Sequence, residues 1–410
     1  MNSRGPVEAS DTDVRMHADA GSAVPGGEGY ADPAPFALEA AGQSLRILPG
    51  GADRREALLD LVASARNTLD LCFYIFAEDA IGTALRDALA EAAGRGVAVC
   101  LILDGFGAEA SDEFLAPLRA GGAAVYRFSD RVSQRYLIRN HQKMVISDGQ
   151  RAMFGGFNIS DDYFAPPAAN GWNDIAVAIE GSAVDGLSRW FERLREWTDD
   201  DGAHFRAIRD TVSDWEWSDG DAQWLVGGPT GGLSTWARCV REDLEKASRL
   251  DMVMAYFSPR KSSLKRIGRI AQRGQARLVM AGKSDNNATI GASRSLYAKL
   301  LKRDVEIWEF TPCKLHTKLI VMDDVVYVGS ANFDMRSLYL NLEIMLRIRD
   351  AALADRMREF VDHQIEASRA ITPELHARRA TLWNRIRWRA SWLLVSVLDY
   401  TVSRRLNLGL

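Results

Sequence analysis

Short apolar runs alternate along the chain with longer stretches in which apolar residues recur every three or four positions. The first pattern is typical of buried strands and the second of amphipathic helices. Strands are predicted at 69–76, 97–104 and 123–128, and again at 250–257, 276–282 and 305–310. Helices are predicted at 55–66, 81–95 and 112–120, and again at 234–248, 262–273 and 295–302. We therefore predict an α/β fold with two duplicated lobes, each a mixed, mainly parallel sheet covered by helices on both faces.

A motif of polar residues is repeated at the same point of each half. The stretches HQKMVISDGQRAMFGGFN and HTKLIVMDDVVYVGSAN begin at His141 and His316, which lie 175 residues apart. Both follow the pattern H-x-K-x4-D, and both continue to a glycine and an asparagine. The shared residues are His141, Lys143, Asp148 and Asn158 in the first half, and His316, Lys318, Asp323 and Asn332 in the second. Such a doubled pattern indicates a site for phosphoryl transfer that uses two histidines.

Strand geometry explains the spacing of the motif. Residues two apart on a strand point to the same face, so each histidine projects together with its lysine. An apolar run, a turn at the aspartate and a returning apolar run predict a hairpin that brings the asparagine back beside the histidine. A single pair could instead be ordinary strand residues with a solvated lysine. Asp148 and Asp323 are compatible with a local turn role as much as with support of the site.

These motifs resemble those of the phospholipase D superfamily, and the chain is most similar to bacterial cardiolipin synthases without N-terminal transmembrane helices. The stretches GSANFDMRSLYLNLEI at 329–344, GKSD at 282–285 and YIFAEDAIGTALRDALAEAAGRGV at 74–97 add to the resemblance. There are two departures from the family pattern. Gly156 stands where the family often has serine, and the second hairpin has one residue fewer between Asp323 and Gly329.

The resemblance implies an active site at the interface of the lobes. One histidine attacks phosphorus and the other protonates the departing oxygen, while the lysines and asparagines hold the phosphate oxygens. The resemblance favours His141 as the nucleophile, although the near-symmetric sequence leaves that choice open. It further implies that Asp174 orients His141 and that Glu343 orients His316. The sequence lacks His, Cys, Asp or Glu at metal-ligand spacing, so we expect no cofactor and no metal requirement.

The implied function is transfer of a phosphatidyl group to phosphatidylglycerol, as in a cardiolipin synthase. Hydrolysis by a phospholipase D, cleavage of nucleic acid by a phosphodiesterase of the same superfamily and a catalytically inactive membrane scaffold are the alternatives. The donor lipid and the oligomeric state are not specified by the sequence. Outside residues 370–410 the chain is acidic, which disfavours a nucleic-acid partner.

Composition shifts divide the chain into five predicted segments. They are a loose N-terminal tail (1–40), the first lobe (41–198), a linker (199–232), the second lobe (233–370) and a basic amphipathic C-terminal helix (371–410). Four scattered cysteines suggest neither a disulfide framework nor a zinc site and fit a reducing compartment. Residues 1–40 lack the apolar core of a signal peptide.

The C-terminal segment predicts contact with a membrane. Residues 380–403 form an apolar stripe at helical spacing, and residues 370–410 hold seven arginines against two acidic residues. The apolar part is too short to span a bilayer, so we expect the helix to lie in the interface and bind anionic lipid. A terminal helix packed on the core is the alternative. The expected location is the cytoplasmic face of the bacterial inner membrane, bound peripherally.

Overall fold

The computed structural model describes residues 29–128, 138–200 and 205–395. Two large sheets dominate this part of the chain, and each follows the predicted alternation of strands with helices. The first lobe contains β1 (Phe36–Ala40), β2 (Gln43–Leu48), α1 (Gly51–Ala63), β3 (Thr68–Phe73), α2 (Ala80–Gly94), β4 (Ala98–Asp104), α3 (Ala116–Ala120), β5 (Ala124–Phe128), β6 (Met144–Ser147), β7 (Arg151–Gly155), β8 (Trp172–Asn173), β9 (Ala176–Glu180) and α4 (Ser182–Asp199).

The second lobe repeats this plan and adds elements at both ends. It contains α5 (Phe205–Ser213), β10 (Trp217–Asp219), β11 (Ala222–Gly227), α6 (Thr235–Lys246), β12 (Arg249–Met254), β13 (Phe257–Ser258), α7 (Lys261–Arg273), β14 (Gln275–Ala281), α8 (Asn287–Leu301), β15 (Glu306–Phe310), β16 (Lys314–Leu315), β17 (Lys318–Met322), β18 (Val325–Gly329), β19 (Phe333–Asp334), α9 (Met335–Tyr339), β20 (Glu343–Arg349), α10 (Ala351–Glu366), β21 (Ser368–Ala370), α11 (Pro373–Arg379) and α12 (Leu382–Leu393).

Strand order confirms the internal duplication. The first sheet runs β1-β2-β9-β7-β6-β3-β4-β5 and the second runs β10-β11-β20-β18-β17-β12-β14-β15-β21. Seven consecutive strands therefore correspond, from β2 to β5 in one sheet and from β11 to β15 in the other. The two predicted hairpins are β6–β7 and β17–β18, at equivalent positions.

The sheets are mixed, as predicted, but their pairings are not mainly parallel. Within the two large sheets as described, parallel pairs occur only where a helix connects neighbouring strands, in β3–β4–β5 and in β12–β14–β15. The hairpins and the strands beside them pair antiparallel, since a two-residue turn reverses the chain whereas a parallel pair needs a crossover. The sequence pattern identified the helical crossovers and underweighted the hairpins.

Three apolar clusters form the core of the described part of the chain. One lies between β3 and the helices α1 and α2, and another lies between β12 and the helices α6 and α7. The third cluster joins residues from both sheets, such as Val177 and Val328, with the buried faces of α4 and α10. Because this shared core spans the two sheets, it fixes the lobes against each other and so positions any site between them.

Two predicted segment boundaries differ from the structure. Residues 36–40 belong to the first sheet instead of a loose tail, because Phe36–Ala40 pairs with β2 across a turn at Ala41 and Gly42, both with positive φ. The predicted linker contains α5, β10 and β11, and β11 pairs with β20 in the second sheet. Its acidic and glycine-rich composition hid these short strands. Residues 1–28 of the predicted tail lie outside the described residues.

The C-terminal segment forms two helices where one was predicted. Thr381 caps α12 with its side chain, and this break separates α12 from α11. One face of α12 is buried, with Trp388 only 5% exposed, whereas Leu382 and Trp383 on the other face are 77% and 72% exposed. The alternative of a terminal helix packed on the core therefore holds for one face, and contact of the exposed face with a membrane stays a prediction. Residues 396–403 of the predicted helix lie outside the described residues, and no described helix meets the length and apolarity needed to cross a membrane.

Candidate active site

Two reciprocal backbone contacts join the lobes at the motifs. The amide of His141 donates to the carbonyl of Leu342 at 2.9 Å, and the amide of His316 donates to the carbonyl of Asn173 at 2.8 Å. Each histidine therefore lies next to the residue that immediately precedes an acidic residue of the other lobe. The same relation is visible in the β16–β8 pairing and in a bridge between Asn140 and Leu342.

Each histidine is held by the acid of the opposite lobe. Nδ1 of His141 lies 3.0 Å from Oε2 of Glu343, and Nδ1 of His316 lies 2.6 Å from Oδ2 of Asp174. The expectation that Asp174 pairs with His141 and Glu343 with His316 is therefore wrong. The expectation fails because the backbone of each histidine pairs with the other lobe, at Leu342 and Asn173. The spacing of residues within one lobe does not reveal such contacts. Neither half can orient its own histidine.

The imidazoles are neutral in the free protein. Burial lowers the pKa of His141 to about 4 against the opposing effect of Glu343, and burial together with Lys318 lowers the pKa of His316 to about 3. Burial raises the pKa of Asp174, but Lys318 and His316 lower it by more, so the net shift is downward. Because a carboxylate only accepts, Nδ1 of each ring carries the proton and Nε2 keeps its lone pair.

Both motif lysines are buried beside their histidines. Lys143 is 0% exposed and Lys318 is 2% exposed, and each amine donates to the backbone carbonyl of the histidine two residues before it. Burial lowers the pKa of Lys143 to about 7 and that of Lys318 to about 8. Lys318 contributes to the lowered pKa of Lys143 and of His141, so the charge of one motif acts on the other. An anion bound there would offset this repulsion.

The two asparagines are buried at the ends of their hairpins. Asn158 accepts from the amide of Ile75 at 3.1 Å and donates to the hydroxyl of Tyr163 at 3.0 Å. Asn332 is 3% exposed, and its Oδ1 has no hydrogen-bond partner in the described part of the chain. A buried polar atom without a partner is uncommon and marks the amide as available to a ligand.

The motif aspartates do not join this group. Asp148 and Asp323 occupy the hairpin turns in left-handed conformation, with φ of 55° and 47°. Asp148 accepts from the amides of residues 66–68 and Asp323 from those of 248 and 249, at the beginnings of β3 and β12. The histidines lie towards the other ends of those strands, where His141 contacts Tyr74. Including the two aspartates in the catalytic set is therefore not supported, because a strand of four residues (β6) or five residues (β17) lies between each histidine and its turn.

The departure at Gly156 has a steric explanation. A Cβ at Gly156 would lie 2.5 Å from Oδ1 of Asp174, so a side chain there would collide with the acid. At the equivalent position of the second lobe, the hydroxyl of Ser330 donates to Oε2 of Glu343 at 2.5 Å. The two carboxylates therefore have different surroundings, and the two histidines are not interchangeable.

Tyr163 is a site residue that the sequence did not reveal. Its hydroxyl lies 3.4 Å from Nε2 of His316, and its ring packs edge-on against that imidazole at 5.0 Å. Burial raises its pKa well above the usual value, so the hydroxyl stays protonated. The equivalent position in the second lobe is Ser337, whose backbone amide donates to the side chain of Asp334, the N-cap of α9. No periodicity or motif distinguishes Tyr163 in the sequence, because its role depends on the opposite lobe.

Replacing Tyr163 with phenylalanine is expected to lower kcat by roughly fivefold, the effect of one neutral hydrogen bond of about 1 kcal/mol. The ring contact would remain, so KM is expected to change little. Steady-state kinetics on Tyr163→Phe and on the matched variant Tyr297→Phe, remote from the motifs, would check this. Equal losses in the two variants would contradict a role at His316.

Arg54 supports the first lobe from beneath the site. Its side chain is 0% exposed and donates to the carbonyls of Asp174 at 2.6 Å, Tyr163 at 2.7 Å and Trp172 at 3.2 Å. The guanidinium thereby fixes the backbone that carries the acid of His316. Helix α1 was predicted, but nothing in its pattern distinguished Arg54 from its neighbour Arg55.

Arg54→Leu is expected to reduce the free energy of unfolding by at least about 3 kcal/mol, because several buried carbonyls would lose their donor. The neighbouring Arg55 is exposed, so Arg55→Leu is expected to stay within about 0.5 kcal/mol of wild type. Urea unfolding of both variants is the measurement. Similar values for the two would show that the buried guanidinium does not stabilise the fold.

Comparisons with known proteins match both lobes to one family. The family model described as cardiolipin synthase, PLD-like domain, matches residues 58–195 and 240–365, which contain one motif each. Cardiolipin synthase 2 of Bacillus anthracis is 29% identical over 352 residues, covering 82% of this chain and 67% of that protein. The major cardiolipin synthase ClsA of Bacillus subtilis is 29% identical over 368 residues, covering 87% and 75%.

A solved structure shares the fold across most of the chain. Phosphatidylserine synthase of Haemophilus influenzae Rd KW20 superposes with a TM-score of 0.70 at 13% sequence identity, covering 89% of this chain and 97% of that one. The chain belongs to the cardiolipin synthase family of phospholipase D-like proteins. It is an enzyme of the phosphatidyltransferase and phospholipase D type, with a cardiolipin synthase-type role.

Proposed function

We propose that the enzyme transfers a phosphatidyl group to phosphatidylglycerol through a covalent intermediate on His141. The observation that supports this most is the pair of neutral imidazoles at the lobe interface, each fixed by a carboxylate of the other lobe. Two buried lysines accompany them and supply positive charge for one phosphodiester. Phospholipid is the substrate class of the family's cardiolipin synthases, and the identity of the two lipids is part of this proposal.

In the first step, Nε2 of His141 attacks phosphorus with its lone pair. The bond between phosphorus and the headgroup oxygen breaks, and His316 gives the proton on its Nε2 to that oxygen. The anionic diester raises the pKa of nearby imidazole, which allows His316 to hold this proton despite its burial. The products are a phosphatidyl-His141 adduct and a free headgroup alcohol, while Lys143 and Lys318 offset charge on the phosphate oxygens.

In the second step, a hydroxyl of phosphatidylglycerol takes the place of the departed alcohol. Nε2 of His316 accepts its proton, the oxygen attacks phosphorus, and the bond to His141 breaks. His141 is regenerated and cardiolipin is released. His316 is 4% exposed and packs against the rings of Tyr163 and Trp172, which limits the access of water and favours a lipid acceptor over hydrolysis.

The different surroundings of the two histidines support different tasks in this proposal. The hydroxyl of Tyr163 lies 3.4 Å from Nε2 of His316, so the nitrogen that would exchange the proton has a polar neighbour. Such a ring suits repeated proton transfer, while the less hindered His141, with its side chain 12% exposed, suits attack on phosphorus. The assignment agrees with the one that the family resemblance favours.

The experiment is incubation of the full chain with phosphatidylglycerol vesicles in EDTA. We expect cardiolipin and one equivalent of glycerol. We expect EDTA to leave this activity intact because the lysines provide the positive charge, and the described residues contain no cluster of three or more His, Cys, Asp or Glu side chains placed for a metal. A parallel mixture with phosphatidylethanolamine identifies the donor by release of ethanolamine.

Three results would contradict the proposal. Phosphatidic acid as the main product would indicate a hydrolase, and cleavage of a single-stranded oligonucleotide would indicate a nuclease. Activity that disappears in EDTA and returns with a divalent cation would contradict metal independence.

A further inference from the structure

Exposed apolar side chains concentrate at the C-terminal helix. Seven large apolar residues are exposed in the described part of the chain, and five of them lie within residues 382–394. Leu382, Trp383 and Leu394 have more than half of their surface in contact with solvent. Scattered exposed apolar residues are ordinary, but a cluster on one short helix marks a contact surface.

The opposite face of α12 is seated on α8. Trp388 stacks on His376 of α11 with ring centroids 5.5 Å apart and planes 21° from parallel. A Cβ at Gly291 of α8 would lie 2.7 Å from the hydroxyl of Ser391, so glycine permits this close approach. The helix is therefore fixed in place by its buried face while it presents its apolar face outward.

A cavity of about 870 Å³ lies beside α12, between it and the helices α7, α8 and α11. Its volume falls within the range of small-molecule sites. Leu264, Leu296 and the indoles of Trp388 and Trp392 line its apolar part. The N–H groups of both indoles are buried and have no acceptor in the described ranges. Buried donors of this kind are destabilising unless a ligand or water accepts from them.

Six cationic side chains line this cavity, and one of them is paired with an acidic residue. They are Lys261, Lys299, Lys302, Arg385 and Arg389, together with Arg294, which is paired with Glu309. No aspartate or glutamate belongs to the lining. Within residues 29–395 as described, the first five form no ion pair. Apolar walls, uncompensated cations and free N–H donors together match a ligand with an anionic head and an apolar body.

We propose that this cavity binds one anionic phospholipid, separate from the active site. The phosphate would lie against Lys299, Lys302 and Arg389, the ester carbonyls would accept from the indoles, and the acyl chains would continue over the exposed face of α12. The site would then anchor the enzyme on an anionic membrane surface. Residues 396–410 are a poorer occupant, since Arg404 and Arg405 against Asp399 give them the same sign of charge as the lining.

The test is cosedimentation of the full chain with vesicles of phosphatidylglycerol in phosphatidylcholine. Each cationic side chain near an anionic surface contributes about fivefold in affinity, so Lys299→Gln/Lys302→Gln is expected to weaken binding about 25-fold. The matched control is Lys246→Gln/Lys265→Gln, two exposed lysines of the same lobe outside the cavity, and it is expected to stay within about threefold of wild type. A neutral change, Ala298→Trp, fills the cavity and is expected to weaken binding about tenfold.

Equal losses in the two double variants would show that the attraction is diffuse and would overturn the proposed site. Unchanged binding in Ala298→Trp would also overturn it. Deletion of residues 396–410 tests the other occupant, and a clear gain in lipid affinity would mean that this segment fills the cavity. Thermal unfolding of each variant separates loss of the site from loss of the fold. The measurements are repeated on His141→Ala, which is expected to lack turnover. Vesicle binding by this variant therefore reports on the cavity independently of the proposed function.

Discussion

His141→Ala is expected to lower kcat for phosphatidyl transfer by at least about 10⁴-fold, since the proposed mechanism places the covalent intermediate on this residue. His316→Ala is expected to cost roughly 10²- to 10⁴-fold, the usual contribution of a general acid. The two losses should respond differently to the leaving group. A p-nitrophenyl ester of phosphatidic acid releases p-nitrophenolate, which departs without a proton. This substrate should therefore restore the first step in His316→Ala and not in His141→Ala.

His363→Ala is the matched control, because His363 lies on α10 and its Nε2 contacts the carbonyl of Ala31. Release of p-nitrophenolate, followed by stopped flow, measures the first step directly. Comparable rescue of both site variants would contradict the division of roles, and rescue of His141→Ala alone would reverse it.

Removing the charge of one acid should disable the histidine of the other lobe. Asp174→Asn and Glu343→Gln keep the size of the side chains, but an amide can no longer stabilise the imidazolium or select the tautomer. We expect each to lower kcat by roughly 10²- to 10⁴-fold, by analogy with the loss of the acid in a hydrolytic triad. With the p-nitrophenyl ester, Asp174→Asn should recover its first step as His316→Ala does, whereas Glu343→Gln should remain impaired.

The opposite pattern would show that each acid serves the histidine of its own lobe. Each variant serves as the control for the other, since each removes the carboxylate of one buried acid–histidine pair. Urea unfolding of the two variants would confirm that the lobes remain assembled.

The duplicated lobes and the convergence of the two motifs could be predicted because both depend on local patterns. Helix α7 was predicted at 262–273 and found at Lys261–Arg273, since an amphipathic stripe specifies it locally. His141 and Lys143 share a site with their counterparts because the repeat places two hairpins at equivalent positions in the two sheets. The sheet direction was harder, since alternation of strands and helices does not show how the hairpin strands pair.

The pairing of the acids could not be predicted from spacing. Which carboxylate meets which histidine depends on Leu342 and Asn173 crossing between lobes, and these contacts join residues about 140 to 200 positions apart. Tyr163 and Arg54 could not be predicted either, because each acts through groups that are distant in sequence. Asp148 was ambiguous in the sequence, and the structure shows the local role that a turn aspartate commonly has.

Isolation of the covalent intermediate tests the central claim most directly. His316→Ala is mixed with the p-nitrophenyl ester of phosphatidic acid in the absence of phosphatidylglycerol, quenched in base, digested and analysed by mass spectrometry. We predict one phosphatidyl group per chain, attached to the peptide that contains His141 and absent when His141 is also alanine. A first turnover that releases p-nitrophenolate while leaving no modified histidine, or an adduct on any other residue, would contradict the account.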